Sequence, residues 1–394
     1  MLRSVVLATA LLLCTLSLKA QSISSTIVDK DTISYRYTPI DQTPKLEGFG
    51  LRVLDYLHLL PDEQKQANFA AFGLPAYSAN TGLRFVVVGN LEYRNITNAN
   101  QIDDLRIELS ASLTGYYNAL IRGNNHFNNR KHSLLYEVEA QSLPAYLYGL
   151  DFRTSSDDKP GRYTANSYRA SLRYQWRATN FLNIGTSLEY LHKRATNLSS
   201  RAAEIVADRA SIYSGLRAKL GAEISTIKTL EINNKQGIYF DIEASISPSF
   251  LSSYKHTLWQ VGAQFNYYQP LWRGALLALD FYGQLQSPHT PWILRLCLGS
   301  EQRMRSYYHS RYNGNTLLGG QLELRQRVWE GLVVAIWGGA ATTASKDDTL
   351  AWKKILPDYG AGIRYYTSPH SALRLDFGFG RHGFNFVVGL NESF

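Results

Sequence analysis

Leu105-Arg106-Ile107-Glu108-Leu109-Ser110-Ala111-Ser112-Leu113-Thr114 decides the fold: every odd position is apolar and every even position is polar. A period of two sends successive side chains to opposite faces of an extended strand, so the segment has one greasy face and one wet face. The pattern recurs. Trp259, Val261, Ala263, Phe265 and Tyr267 alternate with Gln260, Gly262, Gln264, Asn266 and Tyr268, and Phe240, Ile242, Ala244 and Ile246 alternate with Asp241, Glu243, Ser245 and Ser247. A soluble sandwich also alternates, but its apolar faces close a shared core. The segments here run to about 10 to 16 residues, beyond the usual five or six of globular strands. A strand tilted by about 45° needs roughly 9 to 11 residues to cross a bilayer, and a closed sheet leaves no backbone unpaired in lipid. The expected fold is therefore all-β: a transmembrane antiparallel β-barrel of about 14 to 16 strands with a short, partly helical N-terminal segment.

Composition agrees. The 394 residues are 45% hydrophobic, 12% aromatic and only 19% charged, against roughly 25% charged in an average soluble domain, which excludes a disordered chain. Outside the first 20 residues no apolar run reaches the roughly 18 to 20 residues of a membrane-spanning helix. Many Tyr, Trp and Gly with few Met suit a pleated surface better than packed helices.

Residues 1–20 read as a secretory signal: Arg3 supplies the positive start, Val5 to Leu13 the apolar stretch, and Leu18-Lys19-Ala20 precedes Gln21. The alternative, an amphipathic helix, lacks a polar face, and Leu13 ahead of Cys14 speaks against a lipoprotein. Cleavage after Ala20 leaves Cys297 as the sole cysteine, so no intramolecular disulfide forms. Loss of Arg3 and Lys19 takes the formal charge from +9 to +7, and the remaining basic residues are scattered, with no nucleic-acid footprint. Residues 21–80 are expected to form a periplasmic segment or plug. Leu51, Leu54, Leu57, Leu59 and Leu60, followed by Pro61-Asp62-Glu63-Gln64, suggest one or two short helices there. Residues 81–394 are the expected barrel, read as about fourteen strands. Tight connections lie on one side, at Pro270 to Arg273, Trp329 to Gly331 and Ser368 to Ser371. Long polar ones lie on the other, at 194–209, 287–315 and 343–357, as in outer-membrane barrels. Residues 119–129 and 227–235 read as longer periplasmic turns.

The last expected strand, Gly383 to Phe394, puts Phe384, Phe386, Val388, Leu390 and Phe394 on one face. An aromatic residue ending an alternating strand looks like the insertion signal of bacterial outer-membrane barrels, an ordinary edge strand being the alternative. Tyr359-Gly360-Ala361-Gly362-Ile363-Arg364-Tyr365, Ser368-Pro369 and Leu373-Arg374-Leu375-Asp376-Phe377-Gly378 resemble the end of the bacterial surface antigen superfamily, the barrels of outer-membrane assembly and two-partner secretion. Met304-Arg305-Ser306-Tyr307 looks like its Arg-Gly-aromatic motif, carried on a loop that folds back into the lumen, and Gly320-Gln321-Leu322-Glu323-Leu324-Arg325 like the strand after it. The chain departs from the family at Ser306, where glycine is usual, at Ile336-Trp337-Gly338-Gly339, where an acidic residue is usual, and at Glu392, where an apolar or Tyr residue is usual. The resemblance implies a sixteen-stranded, barrel-only member without periplasmic transport-associated domains, located in a Gram-negative outer membrane. It further implies a role in outer-membrane biogenesis or protein translocation. The implied partners are outer-membrane lipids, the assembly machinery during insertion and a separate periplasmic protein.

If Leu322, Leu324 and Val328 face lipid, parity sends Glu323, Arg325 and Arg327 into the lumen, and the same logic sends Arg364, Arg374 and Asp376 there. An Arg305 descending from the loop would meet Glu323 and Asp376 and latch the loop through bidentate guanidinium–carboxylate bonds. The alternative is a solvated set of lumen charges. Nine dispersed histidines offer no metal spacing and no catalytic constellation, and no cofactor is expected. Gly378-Phe379-Gly380-Arg381-His382-Gly383 matches the dinucleotide fingerprint as a string, but it joins two strands and opens no helix. The alternatives to biogenesis or translocation are a solute pore and an outer-membrane hydrolase.

Overall fold

The computed structural model describes residues 67–78, 81–94, 102–156, 159–329, 331–345, 351–368, 371–390 and 392–394. The expected signal, and residues 21–66 with their expected helices, lie outside the described residues. Sixteen antiparallel strands form the barrel. The first eight are β1 (Ala67–Ser78), β2 (Gly82–Arg94), β3 (Ile102–Ser112), β4 (Tyr117–Phe127), β5 (His132–Leu147), β6 (Gly161–Arg177), β7 (Leu182–Thr196) and β8 (Ile212–Ser225). The second eight are β9 (Asn234–Ser247), β10 (Leu258–Pro270), β11 (Ala275–Gln286), β12 (Thr316–Arg327), β13 (Leu332–Ala344), β14 (Leu356–Ser368), β15 (Ser371–Gly380) and β16 (Gly383–Leu390). Each pairs with its sequence neighbour, and β1 meets β16 to close the ring.

Two strands exceed the fourteen expected, and each hid for a physical reason. β1 lies in the segment assigned to 21–80, so the barrel starts at Ala67 and not at 81. It carries Pro75, which lacks a ladder donor and is tolerated at a sheet edge. β4 occupies most of the stretch read as the turn 119–129. Its Arg122-Gly123-Asn124-Asn125 has turn composition, yet the register runs straight through, with Ile107↔Ile121 and Leu105↔Gly123. At the C-terminus the opposite happens: β16 stops at Leu390 instead of continuing to Phe394.

Parity then sorts the side chains as a membrane requires. On β7 Leu188 is 53% exposed while its neighbour Glu189 is 4% exposed, and on β13 Ile336 is 55% exposed beside Trp337 at 5%. So many exposed large apolar side chains on one closed surface mark a lipid-facing band. Trp176, Trp272 and Trp329 ring the end with the tight turns, and Tyr117, Trp259 and Tyr359 ring the other, the aromatic girdles of two membrane–water interfaces. The chain is an outer-membrane β-barrel. Its long connections lie at the extracellular end: 197–211, which carries helix α1 (Ser200–Val206, capped by the Ser199 side chain accepting from Ala202 N), and 287–315. Leu147, Val206, Tyr213, Leu258, Trp292 and Ile293 pack into one core there. Phe152, Leu298, Met304, Tyr307, Tyr312 and Leu356 form a second core that carries the 287–315 loop down against the barrel wall.

Candidate functional site

The wall formed by β11 to β16 holds an ion network around the tip of the 287–315 loop. Met304 takes a left-handed backbone conformation (φ 52°) at the tip. The chain turns so that Arg305 N and Ser306 N both donate to Asp358, at 3.0 and 2.9 Å. The Arg305 side chain then reaches the wall: Nη2 donates to Glu323 Oε2 at 2.5 Å and Nη1 to Asp376 Oδ2 at 2.9 Å, and all three side chains are fully buried. The guanidinium lies 3.9 Å from the Trp337 ring centroid, a cation–π contact that strengthens with desolvation. Trp337 stands where the resemblance led us to expect an acidic residue, and it contributes its π-face to the same cation.

Glu323 is the hub. It also accepts from Arg325 Nε at 2.7 Å and Arg364 Nη2 at 3.1 Å. Arg364 Nη1 binds Asp376 as well, and Arg374 Nε sits 3.5 Å from Asp376 Oδ2. Six of the seven lumen charges read from the sequence thus meet in one cluster. Arg327, by contrast, stands apart, 3.6 Å from Glu231.

Three features of the cluster were not anticipated. Arg303 binds Asp280 through two bonds of 2.7 Å, fixing the loop to β11. Asp358 caps the loop backbone, as above. The third is the C-terminal tail. After β16 the chain turns inward: Glu392 accepts from Arg364 Nε at 3.2 Å and lies 3.4 Å from Arg325 Nε. Ser393 Oγ donates to Glu323 Oε2 at 3.3 Å and accepts from Arg305 Nη2 at 3.2 Å. Phe394 therefore does not share the lipid face of Phe384. It packs with Tyr268, Leu276 and Ala278 inside the lumen, its ring 5.2 Å from the Arg325 guanidinium. Arg303, Arg305, Arg325, Arg364 and Arg374 face Asp280, Glu323, Asp358, Asp376 and Glu392, so charge balances. Burial pushes the Tyr307 phenol up to about 12, so it stays protonated and donates to Pro357 O at 2.8 Å.

Glycines clear the space for the loop. A Cβ on Gly378 would meet Ser306 N at 3.1 Å, and one on Gly380 would run into the Ser306 hydroxyl. Gly378→Leu is therefore expected to lift the loop tip off β15. The expected result is protease cleavage within 287–315 in reconstituted vesicles, with Gly338→Ala, whose Cβ would meet nothing within 4 Å, remaining resistant. Equal resistance in both would show that the tip does not rest on this wall.

Closure of the ring is uneven. β1 and β2 pair from Ala67↔Tyr93 to Ser78↔Gly82, whereas among the described residues β1 and β16 pair only at Tyr77↔Val388. Tyr77 and Phe386 stack across that seam at 4.3 Å and 3°. Among the described residues no group of three or more His, Cys, Asp or Glu side chains is placed to hold a metal ion.

The barrel fold is shared with known structures. The chain has the fold of the BamA and CdiB barrels. It matches BamA from Haemophilus ducreyi lacking POTRA domains 1–3 with a TM-score of 0.59 at 13% identity, over 84% of this chain and 71% of that one. It matches CdiB from Acinetobacter baumannii at 0.56 and 13% identity, over 83% and 60% of the two chains, and CdiB from Escherichia coli at 0.55 and 14%, over 84% and 63%. No protein-family model and no curated protein matches the sequence. The resemblance read from the motifs between Met304 and Gly378 holds at the level of the fold.

Proposed function

We propose that this protein is a barrel of the surface antigen superfamily that acts in outer-membrane biogenesis or protein translocation, admitting a substrate segment at the β1–β16 seam while the latched loop and tail keep the lumen shut. The observation that carries the reading is the contrast between a seam that, among the described residues, is paired at Tyr77↔Val388 alone and a buried network holding loop, tail and β12–β15 together. Opening the seam exposes few backbone groups, whereas breaking the network strands buried charges, so the barrel would part at the seam first. A periplasmic partner delivering substrate fits this reading. The test is a lock: Tyr77→Cys with Val388→Cys in a Cys297→Ser background. Oxidation is expected to stop outer-membrane protein assembly or secretion in a strain that depends on this chain, and reductant to restore it. Normal growth and an unchanged outer-membrane profile with the lock closed would rule the reading out.

One observation favours a solute pore as the second reading. Away from the loop, lumen-facing charges on β3 to β9 are partly exposed, with Arg122 at 51% and Arg106 at 43%, joined in ladders such as Arg122–Glu137–Arg169–Glu139. Steady conductance of the intact chain in planar bilayers supports the pore, and silence supports the seam.

A further inference from the structure

The lipid-facing wall is not uniform. Over most of the barrel it carries large side chains such as Leu172, Leu188 and Leu220. On β3, β4 and β5, near the extracellular end, it carries Ala111, Ala119, Ala140 and Ser142 instead. The register brings these together: Leu109↔Ala119 and Ala111↔Tyr117 on one side, Ala119↔Ala140 and Tyr117↔Ser142 on the other. Parity turns all of them outward. The result is a cleft of about 480 Å³, walled by Phe85 and Val87 on β2 and by Tyr168 on β6.

The cleft has a direction. Its lower row, Val87, Leu109, Ala119, Ala140 and Tyr168, is apolar apart from one phenol. Its upper corner, nearer the extracellular loops, is Ser142 opposite Asn166, and Asn166 Nδ2 donates to Thr196 Oγ1 at 2.8 Å. A polar head above and an apolar trough below is the polarity of a lipid in the outer leaflet. Size narrows the occupant. One helical turn, about 10 Å across and 5.4 Å high, already takes up roughly this volume, so the cleft suits one slender chain and not a partner helix. An empty trough in a membrane would leave its lining without neighbours and forfeit dispersion contacts.

We propose that this cleft binds an acyl chain of an outer-leaflet glycolipid, with the carbonyl of its ester or amide linkage held at Ser142 and Asn166. The site is separate from the lumen network and independent of the seam.

The test uses the full chain extracted from its membrane in mild detergent and read by native mass spectrometry, with lipid A and phosphatidylethanolamine as added probes. The wild type is expected to retain one glycolipid through delipidation. Ala140→Trp, which fills the trough, is expected to lower retention about tenfold, equivalent to about 1.4 kcal/mol. Ala244→Trp, on the lipid face of β9, is expected to change nothing, and Ser142→Ala to weaken retention with the floor intact. Heat-modifiable gel mobility reports folding, and Ala119→Phe fills the same trough should Ala140→Trp fail to fold. Equal retention by wild type and filled variants overturns the proposal, as does preference for phosphatidylethanolamine over lipid A.

Discussion

Glu323→Ala is expected to destabilise the barrel more than any other single lumen substitution, by about 3 to 5 kcal/mol, the range for removing one partner from a buried ion pair. The reason is asymmetry. Glu323 accepts from Arg305, Arg325 and Arg364 at 2.5, 2.7 and 3.1 Å, and its loss leaves three guanidinium groups in a site without water access. Asp376 and Glu392 remain, but they already serve the same arginines. The measurement is the urea midpoint of the refolded protein in detergent micelles, with heat-modifiable gel mobility as a second readout. In a double-mutant cycle, Arg305→Ala is expected to cost much less in the Glu323→Ala background than in the wild type, with a coupling of about 0.5 to 3 kcal/mol. An unchanged midpoint, or strictly additive effects, would mean that the cluster is solvated and latches nothing.

That experiment also separates stability from specificity. A buried ionic cluster often stabilises no better than a well-packed apolar core of the same volume, so its presence here points to register and closure. It joins the loop, the five neighbouring strands β11 to β15 and the tail at one point, so the contacts between elements form only when those elements are in place. Releasing any one contact leaves buried charges to be paired again or solvated, so the network resists partial opening.

Much of this was legible in the sequence because period two is a strict geometric constraint. Once Leu322 and Leu324 face lipid, Glu323 and Arg325 have no choice but the lumen, and the same holds for Arg364, Arg374 and Asp376. What the pattern cannot supply is depth and partner. Nothing in the spacing of Arg303 and Asp280 announces their bidentate pair, because loop descent is set by tertiary packing of Met304, Tyr307 and Tyr312. β4 was hidden by residues of turn composition in the middle of a strand whose ladder is set by β3 and β5. Glu392 did leave a signal. Continued parity with Phe384 and Phe386 would have put its carboxylate into lipid, where charge is costly, so the chain had to leave the strand before that residue. The departure from the family pattern at 392 and the inward tail are one fact.

Removal of Glu392, Ser393 and Phe394 is the second substitution with a large expected effect, and it couples network to seam. The tail continues from β16, the strand that, among the described residues, meets β1 only at Tyr77↔Val388. While Glu392 is held by Arg325 and Arg364, and Phe394 lies over Arg325, the end of β16 is tied to β12 and β14 and cannot swing away. Without the tail, Arg325 and Arg364 each lose a counter-ion, and a loss of about 3 kcal/mol or more is expected. The seam should open spontaneously, read as intermittent current in planar bilayers and as faster labelling of a cysteine placed at Val388. Truncation also removes the terminal aromatic residue, so a failure to insert in cells would confuse the result. Glu392→Gln resolves this. It keeps Phe394 and the chain length, and it removes only the charge facing the two arginines, for an expected cost of about 1.5 to 3 kcal/mol, the range for hydrogen bonds to charged groups. If Glu392→Gln inserts normally and labels faster at 388, the tail is a bolt on the seam. If both variants, refolded in vitro, label as slowly as the wild type, the inward tail fills space and holds nothing shut.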